Sequence, residues 1–173
     1  MLIQQQFDRF LIVTDINPAG GFSLGLVCRY GDAVDYSNRR KANSLSLSPE
    51  IHLGLGQHVD LNFSYNFQRL YLKKDRIYEA NLSQLRLVYN FNVRTFVRLI
   101  LQYMDLSQNP SLYLFPVKPK SNTLFTQFLF SYKINPQTVL FLGYSDNSLG
   151  MTGINLTRTN RTFFIKLGYA WTR

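Results

Sequence analysis

Several features are scarce in this 173-residue sequence, and each scarcity excludes a class of protein. The single cysteine, Cys28, cannot form an intrachain disulfide. No apolar run reaches the roughly 18 residues that a transmembrane helix needs. Charged residues make up 17% of the chain, below the ~25% of an average soluble domain. A transmembrane β-barrel is compatible with all of this, because half of each barrel strand is polar and the mean hydropathy stays low, here −0.11.

Aromatic residues and positive charge, by contrast, are plentiful. Phe occurs 14 times and Tyr 11 times, and the formal net charge is +9. A basic chain raises the prospect of nucleic-acid binding. The basic residues are nevertheless scattered, without a basic helix, so we expect no nucleic-acid partner.

The clearest pattern lies in residues 85–103, LRLVYNFNVRTFVRLILQY. Apolar and polar residues alternate with period 2 on both sides of a turn, which predicts two antiparallel strands. The apolar face is aliphatic in its middle, with Leu87 and Leu99, and aromatic at its ends, with Phe91 and Tyr103. Strands that cross a bilayer show this gradation, because aromatic side chains favour the interface.

The same alternation recurs along the chain and predicts an all-β fold, an antiparallel up-and-down transmembrane β-barrel. Nine strands are expected if a weak first strand is counted, and eight if it is not. They lie at residues 5–15, 22–31, 44–55, 59–68, the two halves of 85–103, 123–133, 138–145 and 162–172. We interpret residues 1–173 as a single outer-membrane barrel domain or a fragment of one.

The connections between these strands are predicted to alternate in length. Short ones lie at 17–21, 56–58, 91–95 and 134–137, and long ones at 31–43, 69–79, 105–122 and 146–160. Outer-membrane barrels have short periplasmic turns and longer outer loops, which puts the C-terminus in the periplasm. Apolar-phase aromatics near both strand ends predict two interfacial girdles, formed by Phe22, Tyr30, Phe67, Phe91, Tyr103, Tyr132, Tyr144, Phe163, Tyr169 and Trp171.

The opposite, polar phase is predicted to line the barrel lumen. Its main members are Arg29, Glu50, His52, Asp60, Arg86, Arg98, Gln102, Lys133 and Lys166. We favour a plug or structural network over a pore lining that selects anions. Basic residues of the long loops are expected to contact lipopolysaccharide phosphates, namely Arg39, Arg40, Lys41, Lys73, Lys74 and Arg76.

Catalytic chemistry has little support. His52 and Glu50 share a face, which suggests an outer-membrane hydrolase as one alternative, but no third member is placed by spacing. No motif for a nucleotide, a metal or a reactive thiol is present, so we expect no catalytic residue, no metal site and no cofactor. A second alternative is a soluble ligand-binding β-barrel whose apolar face forms its core.

Three strings resemble a known family. FNVRTFVRLILQY at 91–103, GDAVDY at 31–36 and RTFFIKLGYAW at 161–171 are similar to the C-terminal region of uncharacterised Gram-negative outer-membrane proteins. In that family an N-terminal domain resembling carbohydrate-binding module family 9 precedes a β-barrel. The resemblance implies a barrel from about residue 20 onward and implies no activity. This chain lacks the carbohydrate-binding-like domain, so no glycan role carries over.

The closing strand resembles the signal read by the barrel-assembly machinery, through Lys166, Gly168, Tyr169 and Trp171. It departs from the usual pattern because it ends in Thr172–Arg173 instead of an aromatic residue. The N-terminal MLIQQQFDRF lacks the features of a signal peptide. We therefore expect the chain to be the C-terminal piece of a longer precursor, with its first strand paired to upstream strands or to a second copy.

Overall fold

Nine β-strands account for most of the chain. The fold is taken from a computed structural model, which describes residues 8–18 and 20–171. The start of the first predicted strand and the Thr172–Arg173 end lie outside the described residues. The strands are β1 (Arg9–Ile16), β2 (Phe22–Asp35), β3 (Arg40–Leu55), β4 (Val59–Leu72), β5 (Asp75–Asn92), β6 (Thr95–Gln108), β7 (Lys120–Asn135), β8 (Thr138–Met151) and β9 (Ile154–Tyr169).

All nine strands form one antiparallel sheet in sequence order. The prediction of an all-β, up-and-down fold is confirmed, with the weak first strand included. Among the described residues, β1 pairs only with β2 and β9 only with β8, so the sheet is not closed. Since nine is odd, β1 and β9 run in the same direction, and each leaves one edge of its backbone unpaired.

The register keeps the two faces separate through the middle of the sheet, and it shifts only near the ends of some strands, as between Leu70 and Tyr71. Glu50 lies opposite Gly25 and Ser64, for example, while Leu87 lies opposite Leu61 and Leu99. Residues of the apolar phase therefore share one face, and those of the polar phase share the other. A slip of one residue would invert every side chain of a strand, so this register is strongly specified.

Rows of paired residues cross the sheet obliquely. One row on the apolar face consists of Phe22, Leu53, Leu61, Leu87, Leu99, Phe128, Tyr144 and Phe163. The row begins at Phe22, the first residue of β2, which lies beside a short turn. At β9 the row reaches Phe163, at the end of the apolar stretch that lies away from the short turns. Tyr169 marks the short-turn end of the same strand. Such a stagger accompanies strands that tilt relative to a barrel axis.

The predicted long loops are mostly wrong. Residues 31–35, 40–43, 69–72, 75–79, 146–151 and 154–160 belong to strands, so only the 109–119 connection is long. The sequence loses its apolar alternation there because polar residues occupy both faces. Cross-strand ion pairs, such as that between Glu79 and Arg69, accompany the pairing instead. We call the end of the sheet that holds the connections after β2, β4, β6 and β8 the outer end. The strands thus continue past the aromatic residues at the outer end.

Buried hydrophobic side chains are few among the described residues, and all but Leu129 lie at the outer end. Ala42, Leu70 and Ile77 form a small core, packed against Leu112 and Tyr113 of the 109–119 connection. A short 3-10 turn, Pro110–Leu112, lies in that connection. No helix among residues 8–18 and 20–171 has the length and hydrophobicity to span a bilayer.

A glycine on the polar face makes room for an aromatic ring from the next strand. Gly143 lies directly opposite Phe164, and a Cβ added at Gly143 would come within 2.1 Å of two Phe164 ring carbons. Gly168, on the same face, has nothing closer than 3.8 Å to an added Cβ. The packing of Phe164 between β8 and β9 therefore requires a glycine at position 143, whereas position 168 has room for a Cβ.

We predict that Gly143→Ala lowers the free energy of unfolding by about 1–3 kcal/mol, because the Phe164 ring must leave its position. Gly168→Ala, the matched control, should cost less than about half as much. Urea unfolding of the folded protein measures both. Equal losses from the two variants would contradict the packing of Phe164 over Gly143.

Candidate functional site

The polar face carries every residue predicted to line a lumen. The register places on it Arg29, Glu50, His52, Asp60, Arg86, Arg98, Gln102, Lys133 and Lys166. Two depressions lie there, of about 580 Å³ and 740 Å³. Arg29, Ser46 and Gln68 line the first, and Phe96, Lys133 and Phe141 line the second. Whether this face encloses a lumen stays a prediction.

Most acidic residues of the polar face lie in its first four strands, namely Asp15, Asp35, Glu50 and Asp60, and one more, Asp75, opens β5. Asn62 donates a hydrogen bond of 2.7 Å to Glu50, and the Nε2 of His52 lies 3.6 Å from an oxygen of Asp60. His52 therefore approaches Asp60 and not Glu50, the partner expected from the sequence. The 3.6 Å separation exceeds the length of a hydrogen bond.

These contacts do not assemble a hydrolytic site. Ser23 lies directly opposite His52, and Asp60 lies on its other side. In a Ser-His-Asp arrangement the acid binds one imidazole nitrogen and the serine uses the other. Here Asp60 approaches Nε2, and no hydrogen bond joins Ser23 to His52 among the described contacts. No cluster of three metal-ligating side chains occurs in the described part of the chain either.

Basic residues dominate the polar face from β5 to β9. Arg86, Arg98, Lys133 and Lys166 lie there, and the one acidic residue that the described strands of this half carry on that face is Asp75, the first residue of β5. The Nε of Arg98 is buried without a protein acceptor among the described residues. The second half of the face thus has an excess of bases, whereas Arg9, Arg29 and Arg40 accompany the acids of the first half. The basic half favours anions.

The 109–119 connection caps the outer end of the polar face, which the sequence did not predict. It reaches from β6 to the β2–β3 turn, where the Nη2 of Arg40 donates to the Leu112 carbonyl at 2.6 Å. The Leu114 amide donates to the Asn38 side chain at 3.0 Å. Leu112 and Tyr113 complete the small core. We call residues 109–119 the cap; its only sequence signal is an apolar string, LYLF, among prolines.

A buried carboxylate positions the arginine that holds the cap. Asp35 is 3% exposed and accepts hydrogen bonds from Arg40 at 2.9 Å and from Asn38 at 2.8 Å. Both cap-binding side chains are therefore oriented by one acid. Burial raises the pKa of Tyr78, which packs against the same small core as Leu112 and Tyr113 of the cap.

The basic residues predicted to contact lipopolysaccharide occupy different environments. Arg40 binds Asp35 and the cap, Lys41 lies 2.7 Å from Asp32, and Arg76 lies 3.2 Å from Glu79. Arg39, Lys73 and Lys74 lie in turns and are exposed. Most of the predicted girdle is exposed on the apolar face, with Phe67 and Tyr144 half-buried.

Comparison with protein-family models, with curated proteins and with solved structures finds no match for this chain. The resemblance to outer-membrane proteins therefore stays a prediction.

We predict that Arg40→Gln frees the cap while the sheet persists. Amide hydrogen exchange at residues 112–115 should become about tenfold faster, because hydrogen bonds to charged groups contribute about 1.5–3 kcal/mol. Arg39→Gln, which removes the same charge from the adjacent exposed position, should leave that exchange unchanged. Equal protection of the cap in both variants would show that Arg40 does not hold it.

Proposed function

We propose that this chain is an integral outer-membrane β-barrel domain, or part of one, that serves as a membrane anchor or passage and has no catalytic role. This proposal rests on one observation, the location of the buried hydrophobic side chains. The buried hydrophobic side chains of the described residues are Ala42, Leu70, Ile77 and Leu129. Ala42, Leu70 and Leu129 belong to the polar phase and Ile77 packs with the first two, so none of the four belongs to the apolar face.

The most hydrophobic surface of the molecule is thus covered by nothing within the described chain. On β7, Phe128 and Tyr132 are 43% and 40% exposed, whereas the intervening Leu129 and Ser131 are 8% and 3% exposed. A soluble barrel or sandwich buries its apolar face against another layer. A lipid bilayer solvates such a face directly, and aromatic residues at its borders fit the two interfaces. This disfavours the soluble ligand-binding alternative.

Lipid also requires that no backbone edge stay unpaired, since each bare N–H or C=O costs several kcal/mol. The free edges of β1 and β9 therefore need partner strands. Because these two edges run in the same direction, an antiparallel closure requires an odd number of added strands. A second copy inserted in the same orientation would offer only parallel pairing. Further strands of a longer chain are accordingly the preferred partners.

The cap and the charges of the polar face bear on whether a passage exists. Residues 109–119 cover part of the polar face at its outer end, and the acidic residues of β1 to β4 can offset the excess of bases on β5 to β9 across a narrow interior. We favour a partly filled lumen over an open pore, in a barrel whose C-terminus is periplasmic. Its proposed partners are lipopolysaccharide and, through β9, the barrel-assembly machinery.

We predict that Leu87→Arg and Leu99→Arg each destabilise the membrane-inserted fold by about 2–4 kcal/mol, the cost of a cation near the bilayer midplane. Gln102→Arg adds the same charge to the polar face and should be tolerated. Folding of the three variants into phosphatidylcholine vesicles, measured by protease protection, separates these outcomes. Comparable folding of all three variants would rule out the assignment of the apolar face to lipid.

A further inference from the structure

Beyond the aromatic residues of the outer end, the apolar face becomes charged. Phe67 is followed on the same face by Arg69, and Tyr144 by Asp146. The charged strand residues of this zone are Asp32, Lys41, Arg69, Arg76, Glu79, Asp105, Lys120, Asp146, Arg158 and Arg161. At the short-turn end, the described strands carry no charged residue on this face. The charged residues of the apolar face in the described strands therefore lie at the outer end and not at the short-turn end.

The first cluster in this zone joins β4 and β5. One oxygen of Glu79 lies 2.7 Å from the Nε of Arg69 and 3.2 Å from an Nη of Arg76. The Arg69 guanidinium also lies 5.1 Å from the centre of the Phe67 ring and donates to the Tyr71 hydroxyl at 3.0 Å. Two cations thus share one carboxylate directly above a girdle residue.

Glu79 stays ionised in this cluster. Burial raises its pKa, but hydrogen bonds and charge from Arg69 and Arg76 outweigh burial and hold that pKa below its usual value. The cluster therefore has net charge +1 at neutral pH.

The second cluster repeats the arrangement between β8 and β9. One oxygen of Asp146 lies 2.5 Å from the Nε of Arg158 and 3.8 Å from that of Arg161. The hydroxyl of Tyr144, a girdle residue, donates to the same oxygen at 2.9 Å. Both arginine side chains are more than half exposed, at 56% and 55%. This cluster also carries one cation in excess.

We propose that these two Arg–carboxylate–Arg clusters bind the phosphate groups of the outer-leaflet glycolipid, lipid A. The inference rests on the proposed function, which puts the clusters at headgroup depth on the lipid-facing side. A guanidinium offers paired N–H donors that match phosphate geometry. The shared carboxylate orients both arginines yet neutralises only one. The one-sided position of the clusters fits a membrane that carries lipid A in one leaflet.

The test uses the whole chain folded into vesicles of phosphatidylcholine alone, or with added bisphosphorylated or dephosphorylated lipid A. Binding is read from fluorescence transfer to labelled lipid A. The cluster variants are Arg69→Gln/Arg76→Gln and Arg158→Gln/Arg161→Gln. The control, Lys133→Gln/Lys166→Gln, also removes two exposed cations, but from the polar face, which is not expected to contact the lipid.

We expect the folded wild type to prefer bisphosphorylated over dephosphorylated lipid A. Each cluster variant should weaken that binding about tenfold, because charge-assisted hydrogen bonds are lost, while the control changes it less than about twofold. Inorganic phosphate at millimolar concentration should not compete. If a Gln variant fails to fold, Arg158→Lys/Arg161→Lys keeps the charge, loses the paired donors and should still bind more weakly than the wild type.

Three results would overturn the proposal while leaving the proposed function intact: no preference for phosphorylated lipid A, equal losses in control and cluster variants, or full competition by inorganic phosphate. The last would assign the clusters to a free anion. If the wild type does not enter phosphatidylcholine vesicles in any assembly state, the membrane assignment itself is overturned, and the lipid-binding proposal with it.

Discussion

The antiparallel ladder, which keeps its register through the middle of nine strands, is the constraint on which the rest of the structure depends. Because side chains alternate with period 2, the pairing of two strands determines which side chains of the second strand lie on the apolar face. Leu87 can lie opposite Leu99, and Leu99 opposite Phe128, only if no strand slips by one residue. The separation of a hydrophobic face from a charged one, and every function discussed above, follows from that register.

Much of the fold could be predicted from the alternation alone, because apolar and polar residues alternate clearly in the middle of most strands. We call this difference between the two faces the hydrophobic contrast. That contrast located the middle of the strands and assigned residues such as Glu50 and Arg98 to one face. It disappears beyond the girdles, where Arg69 or Asp146 replaces leucine. The outer strand segments therefore resembled loops, although cross-strand ion pairs accompany their pairing.

The contacts that matter most at the outer end could not be predicted, since they depend on which residues face each other. Arg40 and Leu112 lie 72 residues apart in sequence, and neither residue type signals that contact. The pairing of Glu79 with Arg69 likewise depends on the exact offset between two strands. Only a local feature, the apolar LYLF string inside a proline-rich connection, hinted that the cap would pack against something.

The two ends of the sheet differ chemically, and that difference gives the molecule a direction. The outer end combines the cap, the buried core and the charged clusters, whereas the other end has short turns and aromatic side chains. An asymmetric membrane suits such a molecule. If the apolar face contacts lipid, as we propose, the unpaired edges of β1 and β9 need partner strands, and the described sheet then forms one wall of a larger enclosure.

The central claim is that the apolar face contacts lipid and the polar face does not. Leu99 and Ile100 test it most directly, because they are adjacent, similar in hydrophobicity and on opposite faces. In a Trp171→Phe background, a tryptophan is placed at either position, and its fluorescence is measured in vesicles of lipid brominated at mid-chain. The account predicts strong quenching for Leu99→Trp and weak quenching for Ile100→Trp. Equal quenching, or the reverse order, would contradict it.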